Sequence, residues 1–479
     1  MNTKRLLGIA APLLAVSTAG VAHAGTAPPT SEPATADSGA TATAALDATF
    51  GTDGVLVANV NEPGHDRFIS VVAGADGAAY ASGYVDVGDG DHAFAVSKFT
   101  ADGALDETYG DGGTAVVNVV EGGGDAEVGR GLVVADDGTV TVAGPADHDP
   151  AAAEPDNEDT DGVVIRLDPT GALDTTFGEG GIALVDFGAG KAFEDADGEA
   201  GYVADNAWGL AARDGGYVLF GTTPNQDADR TDADWVIAGF TDTGSLDEAF
   251  GDGGLVVADI DAADDNARHI DVDDEGRVLA AGYRRDGDGI VSPALIRLNP
   301  DGTFDETFGD GGIANHFVLD TVAEAYDVAI VDDGYVLTGY GRGADSETVD
   351  QIVFRFTADG EWDESFGEGG VTSIDIAGED DRGRNLTVLP DGGILVVGSG
   401  KPDEANLDAL VTLLDADGVP VAGFGDGGAL LVDLGGANDA VFGVDVTADG
   451  AAVYVAGYKG AADDTEELDD AALIRLTLG

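Results

Sequence analysis

Apolar and polar positions alternate in short runs along nearly the whole chain beyond residue 46, and each run stops at a glycine or an Asp-Gly pair. Residues 325–376 show this most clearly. AYDVAIVDDG is an alternating run closed by Asp-Gly, YVLTGY is a second, QIVFRFTADG a third with another Asp-Gly, and VTSIDI follows EWDESFGEGG. Short runs of period two, rich in Val, Ile, Leu and aromatics and bounded by turn residues, predict four strands, A to D. No helix longer than a turn or two is expected.

The pattern recurs behind a fixed box: Phe50-Gly51, Tyr109-Gly110, Phe177-Gly178, Phe250-Gly251, Phe308-Gly309, Phe366-Gly367 and Phe424-Gly425. The boxes are 59, 68, 73, 58, 58 and 58 residues apart. Self-similarity at such a period marks units that bury apolar faces against their neighbours. Seven units of four antiparallel strands predict an all-β, seven-bladed β-propeller over 46–479. The first box is followed by a D-type strand, 54–60, before any A strand, whereas the last A, B and C set ends the chain without a D strand. Strand 54–60 is therefore expected to pair with the C strand ending near Leu476 and close the ring, leaving no open edge.

The start of the chain reads differently. Lys4 and Arg5 precede an apolar run from Leu6, and Ala22-His23-Ala24 has the small-x-small form of a signal cleavage site, so residues 1–24 are expected to be a signal peptide and Gly25 the mature start. Residues 25–45, rich in Ala, Thr, Pro and Ser, read as a disordered lead-in. The expected place is outside the cytoplasm, periplasmic or extracellular, soluble and monomeric, with no membrane insertion because charged residues and glycines interrupt every later apolar run. No cysteine is present, which excludes disulfides and thiolate metal sites. The net charge of −71 becomes about −73 when two of the 21 basic residues leave with the signal and all 92 acidic ones stay. That sign argues against nucleic acid as a partner. With 43% hydrophobic residues, the chain is a folded body with an acidic exterior rather than a disordered polyelectrolyte. Such an exterior suits high salt, where screening is strong, or the collection of divalent cations.

The succession DDG or PDG, VxVAGY, an Asp before strand C, xxRLxxDG and LDxTFGxGG resembles the delta-60 repeat, a β-propeller repeat of secreted bacterial proteins, over nearly all of 46–479. It lapses at Val421 in the box, at Gly239 and Leu413, where other C strands carry Lys or Arg, and at Ser292, where other units have Asp. The resemblance implies a propeller fold and export, and brings no catalytic set.

The extra length of the two long repeats lies in the B to C loop 145–161 and the D to A connection 188–206, so both are expected on one face of adjacent blades, where binding loops are usually placed. Near that face one A-strand position reads Ile69, Arg130, Trp208, Arg268, Tyr326, Arg384 and Phe442 around the blades, alternating arginine with aromatics at the channel mouth. Three residues earlier stand Asp66, Glu127, Asp205, Asp265, Ala323, Asp381 and Asp439. Two readings are open: arginines pairing with these acids between blades, or a ligand site formed by Arg130, Trp208, Arg268, Tyr326, Arg384 and Phe442 for a sugar, peptide or anionic group.

Asn157, Asp159 and Asp161, with Asp168 twelfth, match the oxygen spacing of a calcium loop, with Asp195, Asp197, Asp227, Asp229 and Asp232 as further contributors, so Ca2+ is the one cofactor suggested. The match leads into a strand where an EF-hand has a helix. His65, His92 and His148 fall in variable-face loops, where a cluster with Asp91 or Asp147 would bind metal or serve as acid and base; His269 and His316 remain. No nucleophile elbow, zinc motif or phosphate loop occurs, and the catalytic residues of any enzyme are unknown. The leading expectation is a secreted, non-catalytic module presenting acidic loops to a protein, polysaccharide or cell-surface partner. The alternatives are a hydrolase or lyase at the channel mouth, using the arginines and Asp265, or a rigid envelope spacer.

Overall fold

A computed structural model describes residues 21–23 and 44–478, apart from 59, 61–63, 76, 148–158, 195–199, 228, 261–263, 320, 345, 404–405 and 462–467. The expected signal and lead-in therefore lie outside the described residues, save for two short segments. The backbone of 21–23 runs parallel to 132–134, and Ala44–Leu46 pairs with 476–478, so pairing begins two residues before the expected boundary. No helix occurs among the described residues.

The same antiparallel succession of four strands recurs, here numbered by unit. Unit 1 holds Asp66–Ala73, Ala79–Gly88, Asp91–Phe99 and Thr114–Val117, and unit 2 Gly131–Val134, Val140–Asp147, Thr160–Leu167 and Ile182–Val185. Units 3 to 6 begin at Asn206, Asp265, Val322 and Arg382. Unit 7 consists of Ala440–Val446, Ala452–Lys459 and Asp470–Leu478, and its fourth strand is Val55–Ala58, with Val55 opposite Ile474 and Ala58 opposite Ala471. First strands of consecutive units lie against one another, and that of unit 7 lies against that of unit 1. The core sits between sheets: one cluster joins Leu279 and Leu295 of unit 4 to Leu337 and Phe354 of unit 5 around Phe308.

The boxes explain this stacking. Each box aromatic is buried, and each following glycine has φ between 50° and 57°, a region that side chains with a Cβ rarely adopt. At Gly110 a Cβ would stand 2.1 Å from the Thr114 carbonyl oxygen. The box glycine N–H then donates to a turn of the next unit, Gly110 to Thr170, Gly178 to Thr243 and Gly309 to Asp359, each at 2.8 Å.

The cations of the C strands complete the boxes of units 1, 2, 4, 5 and 7. Arg297 donates to Asp305 (2.8 Å) with its guanidinium 4.5 Å above the Phe308 ring, and Arg166 with Asp174 and Phe177, and Arg355 with Asp363 and Phe366, repeat the arrangement. Arg475 of unit 7 pairs with Asp47, so the box at the start of the chain serves the last unit. The lapses in units 3 and 6 have a cause. Where unit 3 has Gly239, Arg213 arrives from the first strand, pairs with Asp247 and covers Phe250 at 5.2 Å. In unit 6 cation and acid are replaced together, by Leu413 and Val421, which pack in one apolar cluster.

Candidate functional site in the channel

Six of the seven channel-mouth positions are β-bulges. Register shifts fall across Ile69, Trp208, Arg268, Tyr326, Arg384 and Phe442, and each residue the ladder skips is re-aimed out of its strand. Arg130 stands just before the first paired residue of unit 2, its N–H on the Ala143 carbonyl. All seven side chains are buried.

They meet as a stack of alternating rings and guanidinium groups. Arg130 lies 3.8 Å from the Trp208 ring and Arg268 4.4 Å from its centre; Arg268 also lies 4.7 Å from Tyr326, and Arg384 4.5 Å from Tyr326 and 6.0 Å from Phe442. Such contacts are strongest where water is excluded. The expected arginine–acid pairing does not occur for Arg130 or Arg268. Arg130 donates to Asn206 Oδ1 (2.7 Å) and the Ala207 carbonyl, and Arg268 to the Ala267 carbonyl and Tyr283 Oη (2.8 Å). Burial, and then the neighbouring Arg268 charge, pull the Arg130 pKa down.

The acids three residues upstream are turned to the backbone instead. Asp66 accepts from Val60 N–H (2.7 Å), Glu127 from Val119 and Val120, Asp205 from Phe187 and Gly188, Asp265 from Ile260 (2.8 Å), Asp381 from Ile376 and Lys401, and Asp439 from Leu434, Gly436 and Gly460. Each carboxylate thus fastens the connection that enters its unit. Burial pushes Glu127, Asp205 and Asp381 up to about 7 and Asp265 up to about 8, against the lowering effect of those amides.

The calcium-loop reading of 157–168 is corrected. Asn157 lies outside the described residues, Thr160–Leu167 is a strand with Asp161 opposite Ala146, and Asp159 and Asp168 stand at its two ends, roughly 30 Å apart at about 3.3 Å per residue. The Val163–Leu167 run prefers the sheet, whatever the spacing of acids before it. Asp159 is buried and accepts from Gly190 (2.7 Å) and Asp205 (3.1 Å), while Asp168 caps its own turn through Thr170. Asp159 therefore ties the two long insertions together. Lys191, on the hairpin Lys191–Glu194/Ala200–Val203, donates to the carbonyls of Asn225, Asp227 and Arg230. Of the further acids, Asp195 and Asp197 lie outside the described residues. Arg230 pairs with Asp232 and Asp259 and approaches Asp234 at 3.7 Å, supplying a cation to the cluster Asp234, Asp259 and Asp265.

The loop histidines have separate partners among the described residues. His65 bonds Asp469, His92 stacks on Tyr84 at 4.1 Å, Asp91 is engaged by Asn118 and Gly122, and His148 lies outside the described residues. The pairing that alignment of single columns missed is His269 with Asp327, 2.6 Å apart across units 4 and 5 and one residue beyond the bulge. They border a cavity of 1190 Å³ along the channel, walled by the first strands of units 4 to 7. Asp327 also accepts from Leu386 N–H (2.7 Å), and Asn385 from Val444 N–H (3.1 Å), so this column spaces neighbouring strands. In units 2 and 3 the same column holds Gly131 and Gly209, and a Cβ on Gly131 would stand 2.5 Å from Leu210 Cβ.

Four-stranded antiparallel sheets stacked face to face, with first strands around a channel, define a β-propeller domain. In keeping with this, residues 136–177 and 276–308 match a family described as "Domain of unknown function (DUF5122) beta-propeller". No curated protein matches the chain. Among solved structures, a protein of unknown function from Dyadobacter fermentans DSM 18053 is 12% identical over 89% of this chain and 98% of its own, with a TM-score of 0.40. Drosophila Semaphorin 2a is 9% identical over 82% and 72% (TM-score 0.44), and the β-propeller domain of the Trilobed protease from Pyrococcus furiosus 10% over 85% and 96% (TM-score 0.39).

Proposed function

We propose that the chain is an exported, non-catalytic binding module of the delta-60 kind: a seven-bladed ring, closed by strand 55–58, that presents its variable face to a protein, polysaccharide or cell-surface partner. The reading of the ring is supported by the pairing of 55–58 with 470–478, by the Arg475–Asp47 box, and by the contact of the first strands of units 7 and 1. The observation that carries the binding role is the convergence of the two insertions, fastened to one another by Asp159 and to unit 3 by Lys191. Long loops held on a rigid scaffold are the usual form of a recognition surface. Against an enzyme at the mouth, the stacked arginines and amide-bound carboxylates are already used by the fold. The ending of the leader at Ala24 and the acidic exterior support export into a solvent where like charges are screened.

The test replaces residues 191–203 with Gly-Gly and compares both forms for melting and for binding to purified envelope polysaccharides and surface proteins of the producing cell. Retained melting with lost binding supports the reading; unaltered binding removes the variable face from it. Arg268→Ala addresses the enzymatic rival. Lowered stability is expected, and a folded variant that loses turnover of a hydrolase or lyase substrate would overturn the non-catalytic assignment.

A further inference from the structure

Below the mouth the channel opens into the 1190 Å³ cavity, and there the polar groups are less completely engaged. His269 is 4% exposed, and its Nδ1 faces Asp327 Oδ1 at 2.6 Å. The contact is an ion pair without hydrogen-bond alignment, which leaves Nδ1 and Asp327 Oδ1 buried without a hydrogen-bond partner. Burial lowers the His269 pKa, but the adjacent Asp327 carboxylate and the charge of Asp271 together outweigh it and raise the net value. Two residues along the same strand, Asp271 accepts only its neighbour's N–H, Val272 to Oδ1 (2.7 Å), and its second oxygen remains for another donor. Thr387, two units away, brings a hydroxyl to the same cavity, and Val272, Ile330, Val388 and Val446 wall it with half-buried aliphatic surface.

An imidazole at His269, an acceptor at Asp271 and a hydroxyl at Thr387, set among apolar walls, select the chemistry of what enters. An anion meets Asp271, Asp327 and Asp445 within, and Asp274, Asp332 and Asp333 at the entrance. A bare cation meets the imidazole. A hydroxyl both accepts and donates, and a ring with hydroxylated edges and C–H faces matches a site of few convergent polar groups on an apolar wall. We propose that this cavity binds a neutral saccharide, with His269 and Asp271 sharing its hydroxyl groups and the four aliphatic side chains meeting its ring face. This site is at the cavity and not on the variable loops, so it stands whether or not those loops bind a partner.

The experiment follows the His269 ring by long-range 1H–15N correlation in the mature chain labelled with 15N-histidine. It is titrated with the methyl glycosides of glucose, galactose and mannose, and with maltotriose and cellotriose. A saturable shift of the His269 signals by at least one of these sugars is expected, weakened at least tenfold by Asp271→Ala, weakened by Thr387→Val, and unaltered by the exposed-site variant Glu121→Gln. Melting curves establish that each variant is folded. Absence of a saturable shift with all five sugars overturns the proposal, as does a shift that persists in both folded variants. Spermidine is the competing probe: tighter binding that displaces the sugar would make the cavity a cation site and refute the assignment.

Discussion

Unit 6 shows how the chain can dispense with a buried ion pair, and transplanting its solution to unit 4 tests what the pair contributes. The side chains of Arg297 and Asp305 are 4% and 10% exposed, and Arg297 also donates to Tyr335 Oη (3.0 Å) and the Ala358 carbonyl (2.6 Å). Arg297→Leu leaves the carboxylate largely buried without its cation, at a cost of about 3–5 kcal/mol. Asp305→Val leaves the guanidinium with its neutral acceptors and removes the Asp305 cap on Thr307, together costing roughly 2–4 kcal/mol. The double variant reproduces Leu413 and Val421. It strands no charge and loses the cap and the Phe308 contact, so it should cost only about 1–2 kcal/mol. The expected coupling is therefore at least about 3 kcal/mol, read as a double-mutant cycle from urea unfolding at fixed NaCl. If the single costs simply add within about 0.5 kcal/mol, Arg297 and Asp305 do not act as a unit and the account of the boxes fails.

Four further outcomes are expected. Glu127, Asp205, Asp265 and Asp381 have folded pKa values raised above their unfolded ones, so the native state holds protons that the unfolded chain releases; stability should fall as pH rises from about 4 to about 8, and a melting temperature higher at pH 8.5 than at pH 5, at constant ionic strength, would contradict this. Asp265→Asn should flatten that slope, because it removes the group whose pKa is raised to about 8. Trp208→Ala opens the space between Arg130 and Arg268 and should cost about 3–5 kcal/mol in chemical denaturation, with Trp208→Phe recovering more than half. Deleting 46–62 removes the fourth strand of unit 7 and should lower the melting temperature of the whole domain; an unaltered melting curve would mean that the strand is dispensable.

Much of the fold was legible because its signals are local. Asp-Gly turns, a buried aromatic before a glycine that needs positive φ, and period-two runs each act over a few residues and repeat in phase. The site was legible only as columns. Alignment of the first strands found the positions of Arg130, Trp208 and Arg268, but not that the register slips there, because alternation reports the face of a strand and not an extra residue in it. Nor did it say whether arginines turn to acids or to rings. The backbone amides of the incoming connection hold the carboxylates, and Arg130 and Arg268 lie on the rings. The Asn157–Asp168 spacing misled because oxygen spacing carries no information about whether the chain between is loop or strand. His269 and Asp327 stood in neighbouring units of one column, and reading the column along the chain rather than across it concealed them.

Unit 7 takes three strands from residues 440–478 and one from residues 55–58. That sheet therefore cannot exist until Ile474 has been made and can meet Val55. The other units can assemble on their immediate neighbours while the chain lengthens, but unit 7 bears the entropy of joining distant parts of the sequence. Completion of this sheet is thus timed by residues 470–478, and a chain cut before them would leave strand 55–58 without its partner.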